Sequence, residues 1–225
     1  MAAPETAEAM IPRARLQAKD VEILDRDTAY QGFFRIDRYR LRHRLYNGAW
    51  GPHVTRELFE RGHAVAVLLY DPERDALILI EQFRIGALAA GWNPWLLEVV
   101  AGIIEPGETA EQVARREVRE EAGCDVITLE KVGHYLVSPG GTTETVTLFC
   151  GRVDSAKAGG IHGKFEEGED IRVVVVPAGQ ALAMLENGTL TNGALLVAML
   201  WFALHRDRLH RHWGALSDHG QCLLE

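Results

Sequence analysis

Cysteine is scarce. The chain has three, Cys124, Cys150 and Cys222, odd in number and scattered. That excludes a disulfide framework and suits a reducing compartment. Basic blocks are missing as well. With Lys+Arg 24 against Asp+Glu 32 the formal charge is −8. No stretch offers a surface that tracks phosphates, so no nucleic-acid partner is expected. Long apolar runs are also absent. The longest, residues 194–204, is too short to span a bilayer, and the N-terminus has no apolar signal core. The expectation is a cytoplasmic protein with no membrane partner. There are no repeats and no low-complexity segment. An acidic chain acting on an anionic substrate would need metal ions or local arginines to hold it.

What is present reads as one or two domains with a sizeable core. Residues 21–45 are strand-like, with turns expected at Asp25-Arg26-Asp27 and a hairpin at Asn47-Gly48. They form a small antiparallel unit, residues 1–60, too small to bury its own core well. Strands are expected over 64–69, 76–80, 95–101, 127–136, 145–153 and 172–176, with helices over 178–187 and 192–212. The last helix turns Leu195, Leu196, Met199, Leu200 and Leu204 to a core. Strands, helix, strands, helices describe a mixed-sheet α/β domain, residues 61–225.

One more helix sits at the centre. Thr109 with Gln112 three residues on makes a capping box, and Gly123 is a natural stop, so the helix covers 110–122. At about 100° per residue, Ala110, Val113, Ala114, Val118 and Ala122 share one arc, and Glu117 and Glu121 fall in the middle of it. Glu120 lies at its edge, with Arg116 four residues before. Carboxylates on a core-facing arc are costly unless a cation compensates them. A solvated ion-pair face would not share its arc with valines. Oxygen ligands without nearby Cys or His indicate Mg²⁺ or Mn²⁺ and not zinc.

Three features lie outside this helix. The stretch 159–170 is glycine-rich and ends in four acids, Glu166, Glu167, Glu169 and Asp170. A loop of that kind suits a lid carrying a base and another metal ligand, and His162 could join it. Ser138, Pro139 and Gly140 form a turn. Phe33, Phe34, Arg56, Arg61 and Arg84 together offer flat groups and guanidinium forks, which suit a nucleotide and its phosphates.

The residues Gly102, Glu108, Arg116, Glu117, Val118, Glu120, Glu121 and Gly123 stand at the spacing of the Nudix box. Cys124 departs from the aliphatic residue usual at the last place, and a thiol fits that small apolar slot. The chain therefore resembles the Nudix hydrolases. It is similar to the bacterial ADP-ribose pyrophosphatases among them, which typically carry a proline where Pro139 stands. Further matching stretches begin at Arg40, Arg56, Pro94, Gly160 and Glu169.

The resemblance implies a Nudix fold, a mixed sheet in an α/β/α sandwich, with the small N-terminal β unit exchanged between subunits of a homodimer. It implies Mg²⁺-dependent hydrolysis of ADP-ribose to AMP and ribose 5-phosphate, with two or three ions per site. The implied metal ligands are Glu117, Glu121, the Ala101 carbonyl and Glu169, with Glu120 alternative or supplementary. Arg116 would orient the glutamates, and Glu108 would stand behind it. Glu167 is the chosen general base and Glu166 its rival. Phe33 or Phe34, Arg56 and Glu57 would hold the adenosine end. Arg61, Arg84, Ile103, Ser138, Pro139, Gly140 and Glu144 would make further substrate contacts. Another nucleoside diphosphate sugar such as GDP-mannose is the alternative substrate. A non-catalytic ADP-ribose-binding sensor is the alternative class.

Overall fold

The computed structural model describes residues 15–164, 166 and 168–218. The chain folds as two compact units. One holds the residues up to Arg61 together with Ser138–Thr143, and the other holds Gly62–Val137 and the residues from Glu144 on.

The first unit is a three-stranded antiparallel sheet, β1 (Val21–Gln31), β2 (Arg35–His43) and β3 (Val54–Glu60), in that spatial order. The turn expected at Asp25-Arg26-Asp27 is not there. β1 runs straight through, with two irregularities of register, between Ile23 and Asp25 and between Thr28 and Tyr30. Cross-strand ion pairs hold these polar residues in the strand: Arg26 Nη2 to Asp37 at 2.6 Å and Arg38 Nη2 to Asp27 at 2.6 Å. The hairpin at Asn47-Gly48 is present, closed by Leu45 N–H to the Ala49 carbonyl at 2.8 Å. The segment Ser138–Thr143 lies along β3, with Phe59 N–H donating to the Gly141 carbonyl at 2.8 Å.

The second unit is built on β4 (Ala64–Asp71), β5 (Ala76–Phe83), α1 (Ile85–Ala89), β6 (Trp95–Glu98), β7 (Val100–Ile103), α2 (Ala110–Ala122), β8 (Thr128–Leu136), β9 (Thr145–Arg152), β10 (Ile161–His162), β11 (Ile171–Pro177), α3 (Ala178–Glu186) and α4 (Gly193–Asp218). The sheet runs β10-β11-β5-β4-β9-β8. β4 and β9 are parallel and the other pairs antiparallel. β4 and β5 pair only near their hairpin, over residues 69–71 and 76–78. Beyond it they diverge, and β6 pairs with β5 while β7 pairs with β4. The expected single strand 95–101 is thus two, broken at Val99. That divergence seats β7, and so Ala101 and Gly102, under α2.

β4 is apolar on both faces because both are covered. Val65, Val67 and Leu69 pack with Ile78, Ile80, Val113 and Val118 beneath α2. Leu68 and Tyr70 pack with Leu77, Leu148, Leu195 and Phe202 beneath α3 and α4. The result is an α/β/α sandwich around a mixed sheet. In α4 the expected face is half right. Leu195 and Met199 are buried, but Leu200 and Leu204 are exposed, and Ala198, Phe202, Leu209 and Trp213 take the core side. The progression 195, 199, 202, 209, 213 keeps the 3.6-residue period, and 200 and 204 fall off it. No helix among the described residues is long and apolar enough to cross a membrane.

Candidate active site

The second unit brings α2, β7 and the segment before β11 together. α2 starts as its sequence dictates: Thr109 Oγ1 accepts from Gln112 N–H at 3.3 Å, and Gln112 Oε1 accepts from Thr109 N–H at 2.9 Å. It ends at Gly123 in the left-handed region, φ 64. A side chain there would meet the His162 ring, whose Cε1 would lie 2.4 Å from a Cβ. His162, offered above as a possible lid residue, is thus docked on the end of α2, with Nε2 2.9 Å from the Gly159 carbonyl.

Glu121 is 4% exposed. Its Oε2 accepts from the Ala101 N–H at 3.0 Å. Burial pushes its carboxyl up to about 8 against that hydrogen bond, and the Glu117 and Glu169 charges push the same way. Glu117, one turn back, is also raised, by burial first, although Arg116 opposes it. Its carboxylate lies over the bare Cα of Gly102, where a Cβ would stand 2.0 Å from Oε1. Glycine is what lets the helix carboxylate reach the strand.

Arg116 ties three acids together. Its Nη1 lies 2.7 Å from Glu117 Oε1 and 3.5 Å from Glu120 Oε2, while Nε and Nη2 each lie 3.2 Å from Glu108. Glu120 also meets Lys164 Nζ at 3.1 Å. Glu169 accepts from Lys164 N–H at 3.0 Å, and its charge bears on both Glu121 and Arg84. Glu167, the chosen base, lies outside the described residues. So does Cys222.

No three Asp, Glu, His or Cys side chains converge into a finished metal cage among the described residues. The donor set still fits a hard divalent cation. Glu121 is a buried carboxylate to which no cationic side chain hydrogen-bonds among the described residues, and Glu117 is one turn away. A strand residue's N–H and C=O project to the same side, so the Ala101 carbonyl shares the side on which its N–H meets Glu121. Such ions take the rest of their shell from water and substrate oxygens.

Arg84 follows β5 and Ile103 ends β7, the latter 39% exposed. Glu144 is buried just before β9, where its charge bears on Tyr135. The remaining candidates belong to the first unit. Phe33 is exposed and meets Phe34 edge-on at 4.8 Å. Phe34 meets Phe59 at 5.2 Å and lies under the Arg61 guanidinium at 5.6 Å. Arg56 and Glu57 are exposed on β3. Ser138, Pro139 and Gly140 form a turn whose Ser138 carbonyl accepts from Gly141 and Thr142 at 3.0 Å.

Sequence reasoning missed Glu98, which holds Arg84, and Gln82 and Asn192, which hydrogen-bond to Glu98. The available signal was a lone carboxylate at Glu98 inside the apolar run 96–100.

A mixed-sheet sandwich that sets one helix carboxylate over a strand glycine and buries a second on the neighbouring strand N–H fits a class, the metal-assisted phosphoanhydride hydrolases. Residues 60–195 match the family described as NUDIX domain, and the chain belongs to that family. It is 51% identical over 194 residues to the ADP-ribose pyrophosphatase of Escherichia coli (strain K12), covering 86% of this chain and 93% of that one. To the ADP-ribose pyrophosphatase of Haemophilus influenzae it is 45% identical, covering 87% and 91%. A GDP-mannose pyrophosphatase of Enterobacter sp. is more distant, at 34% identity over 66% of this chain and 78% of the relative. Among solved structures, "Crystal structure of ADP compounds hydrolase" superposes with a TM-score of 0.62 at 21% identity, covering 82% and 95%, and shares the fold.

Proposed function

We propose that this chain hydrolyses the pyrophosphate bond of ADP-ribose to AMP and ribose 5-phosphate. The observation that carries the reading is the pair of the buried Glu121 and the half-buried Glu117, whose carboxylate lies over Gly102, in a chain half identical to enzymes named for that activity. The cofactor is Mg²⁺, with Mn²⁺ second, two or three ions per site, held by Glu117, Glu121, Glu169 and the Ala101 carbonyl and supplemented by Glu120. Bound there, such ions supply charge neutralisation and an acidified water.

The chain's own groups do the rest. Arg116 holds Glu117 and Glu120 in place and limits their repulsion, and Glu108 braces Arg116. Arg84 takes a phosphate oxygen. Glu167 accepts the proton of the attacking water, with Glu166 as rival. The adenosine end is held by Phe33 or Phe34, Arg56, Glu57 and Arg61, and the Ser138, Pro139 and Gly140 turn, Ile103 and Glu144 complete the grip. The N-terminal β unit, residues 1–60, dimerises by exchange with a second copy and serves the partner's hydrolase domain, residues 61–225. Its outer apolar residues Ile23 (60% exposed) and Tyr30 (63%) support that reading. The compartment is the cytoplasm, in keeping with the unpaired Cys124 and Cys150.

A phosphatase-coupled phosphate-release assay over a panel of nucleotide sugars, with and without Mg²⁺, tests this. ADP-ribose should be turned over fastest and only with the metal. Preference for GDP-mannose would move the substrate assignment, and no turnover of any member would revive the sensor reading. Glu167→Gln should slow the reaction with metal affinity kept. If Glu166→Gln is the crippled variant, the base is the other glutamate.

A further inference from the structure

Glu98 is a carboxylate only 4% exposed, at the end of β6. It accepts hydrogen bonds from three side chains of different elements. Arg84 gives Nε at 3.2 Å to each oxygen and Nη2 at 2.8 Å to Oε2. Asn192 Nδ2 stands 3.0 Å from Oε1, and Gln82 Nε2 stands 3.3 Å from Oε2. Asn192 is itself fixed, because its Oδ1 caps α4 through the Leu195 N–H at 3.0 Å. The carboxylate is thus set by β5, by β6 and by the start of a 26-residue helix on the sheet's other face.

Arg84 is held differently from an ordinary surface arginine. Its side chain is 44% exposed, yet one edge of the guanidinium is clamped. Burial by itself would lower its pKa. Glu98 overrides that, and the Glu121 and Glu169 charges add to it. Arg84 hydrogen-bonds to neither of those two carboxylates, and its Nη1 donates no hydrogen bond among the described residues. A free arginine side chain loses rotamer freedom on binding, and less is lost per hydrogen bond when its planar fork is already oriented. A buried ion pair alone is weak support for stability, since an apolar pair of the same shape does as well. What this pair provides is direction.

We infer that Glu98 is a positioning residue: through Arg84, and braced by Asn192 and Gln82, it aims a guanidinium edge at a phosphate oxygen of the diphosphate substrate. The substrate named rests on the function proposed above; the orientation of an anion-binding arginine does not.

The test is a double-mutant cycle of Glu98→Gln and Arg84→Ala, in which residues acting as one unit show non-additive losses. Glu98→Gln keeps size but loses the charge and one acceptor. It should lower kcat/KM for ADP-ribose about tenfold or more, mostly in KM, and remove little further from the Arg84→Ala enzyme. Additive losses, or a Glu98→Gln enzyme with wild-type KM, overturn the inference. If Glu98→Gln gives no cooperative melting transition, Glu98→Asp, which keeps the charge but withdraws it, goes through the same cycle with the same criteria. The cycle is repeated calorimetrically with inorganic pyrophosphate. Should the wild type turn over no nucleotide sugar, the proposed function fails, while equal and non-additive weakening of pyrophosphate binding still supports the positioning role. Pyrophosphate binding unaffected by either substitution overturns it.

Discussion

A methyl group at position 102 would stand 2.0 Å from Glu117 Oε1 and 2.4 Å from its Cγ. Gly102→Ala therefore has to swing the carboxylate off the strand, and the loss should be catalytic more than structural. Steady-state kinetics with thermal melting should show turnover cut by on the order of a hundredfold, because a misplaced group costs that much, while the fold stays cooperative. Glu121→Gln should be at least as damaging to turnover, by orders of magnitude, with circular dichroism unchanged. Near-normal activity there would sink the metal assignment. At this scale the two glutamates were legible in the sequence, because the helical period places them among valines. Glu98 was not. Its meaning lies in partners fourteen, sixteen and ninety-four residues away, and no local pattern records them.

Among elements, α2 is the one most completely written in its own residues. Thr109, Gln112 and Gly123 act through backbone groups within a turn of themselves, so the ends of the helix follow from local chemistry. Thr109→Ala should cost about 1 kcal/mol and lower Tm by roughly 2–4 °C, with kcat/KM nearly unchanged. A large loss of activity at intact stability would mean the cap also shapes the site. Other elements were less legible. β1 runs through a polar triplet that reads as a turn, since the ion pairs holding it in the sheet come from β2. α1 is five residues long, too short for a period to show. Leu200 and Leu204 of α4 look like core residues until the helix meets its actual neighbours.

For the whole molecule, the carboxyl pair couples stability to pH and to metal. Glu121 is raised to about 8 and Glu117 is raised too, both chiefly by burial. Between an unfolded carboxyl's ordinary value and about 8, the folded chain holds more protons than the unfolded one, so stability falls as pH rises through that window. The metal-free protein should melt several degrees lower at pH 8.5 than at pH 6, at about 2–4 °C per kcal/mol for a chain of this size. Mg²⁺ should restore the loss at the higher pH, because a bound cation reverses the cost of the buried charge. The Glu121→Gln protein should show a smaller dependence. A flat profile in wild type, insensitive to Mg²⁺, would contradict the burial reading. Sedimentation should find a species of about twice 25.0 kDa, as the exchanged dimer requires, and a monomer at micromolar concentration would overturn it.

The α2 helix, its caps, the carboxylates on its inner arc and the apolar run of β4 follow from the residues alone, because each depends on groups within a turn or on which faces must be covered. The tertiary structure alone decided which backbone Glu121 meets, why position 102 must lack a side chain, and how Glu98 comes to aim Arg84. Those contacts join segments far apart in the chain, and only packing the layers on one sheet gives them a distance.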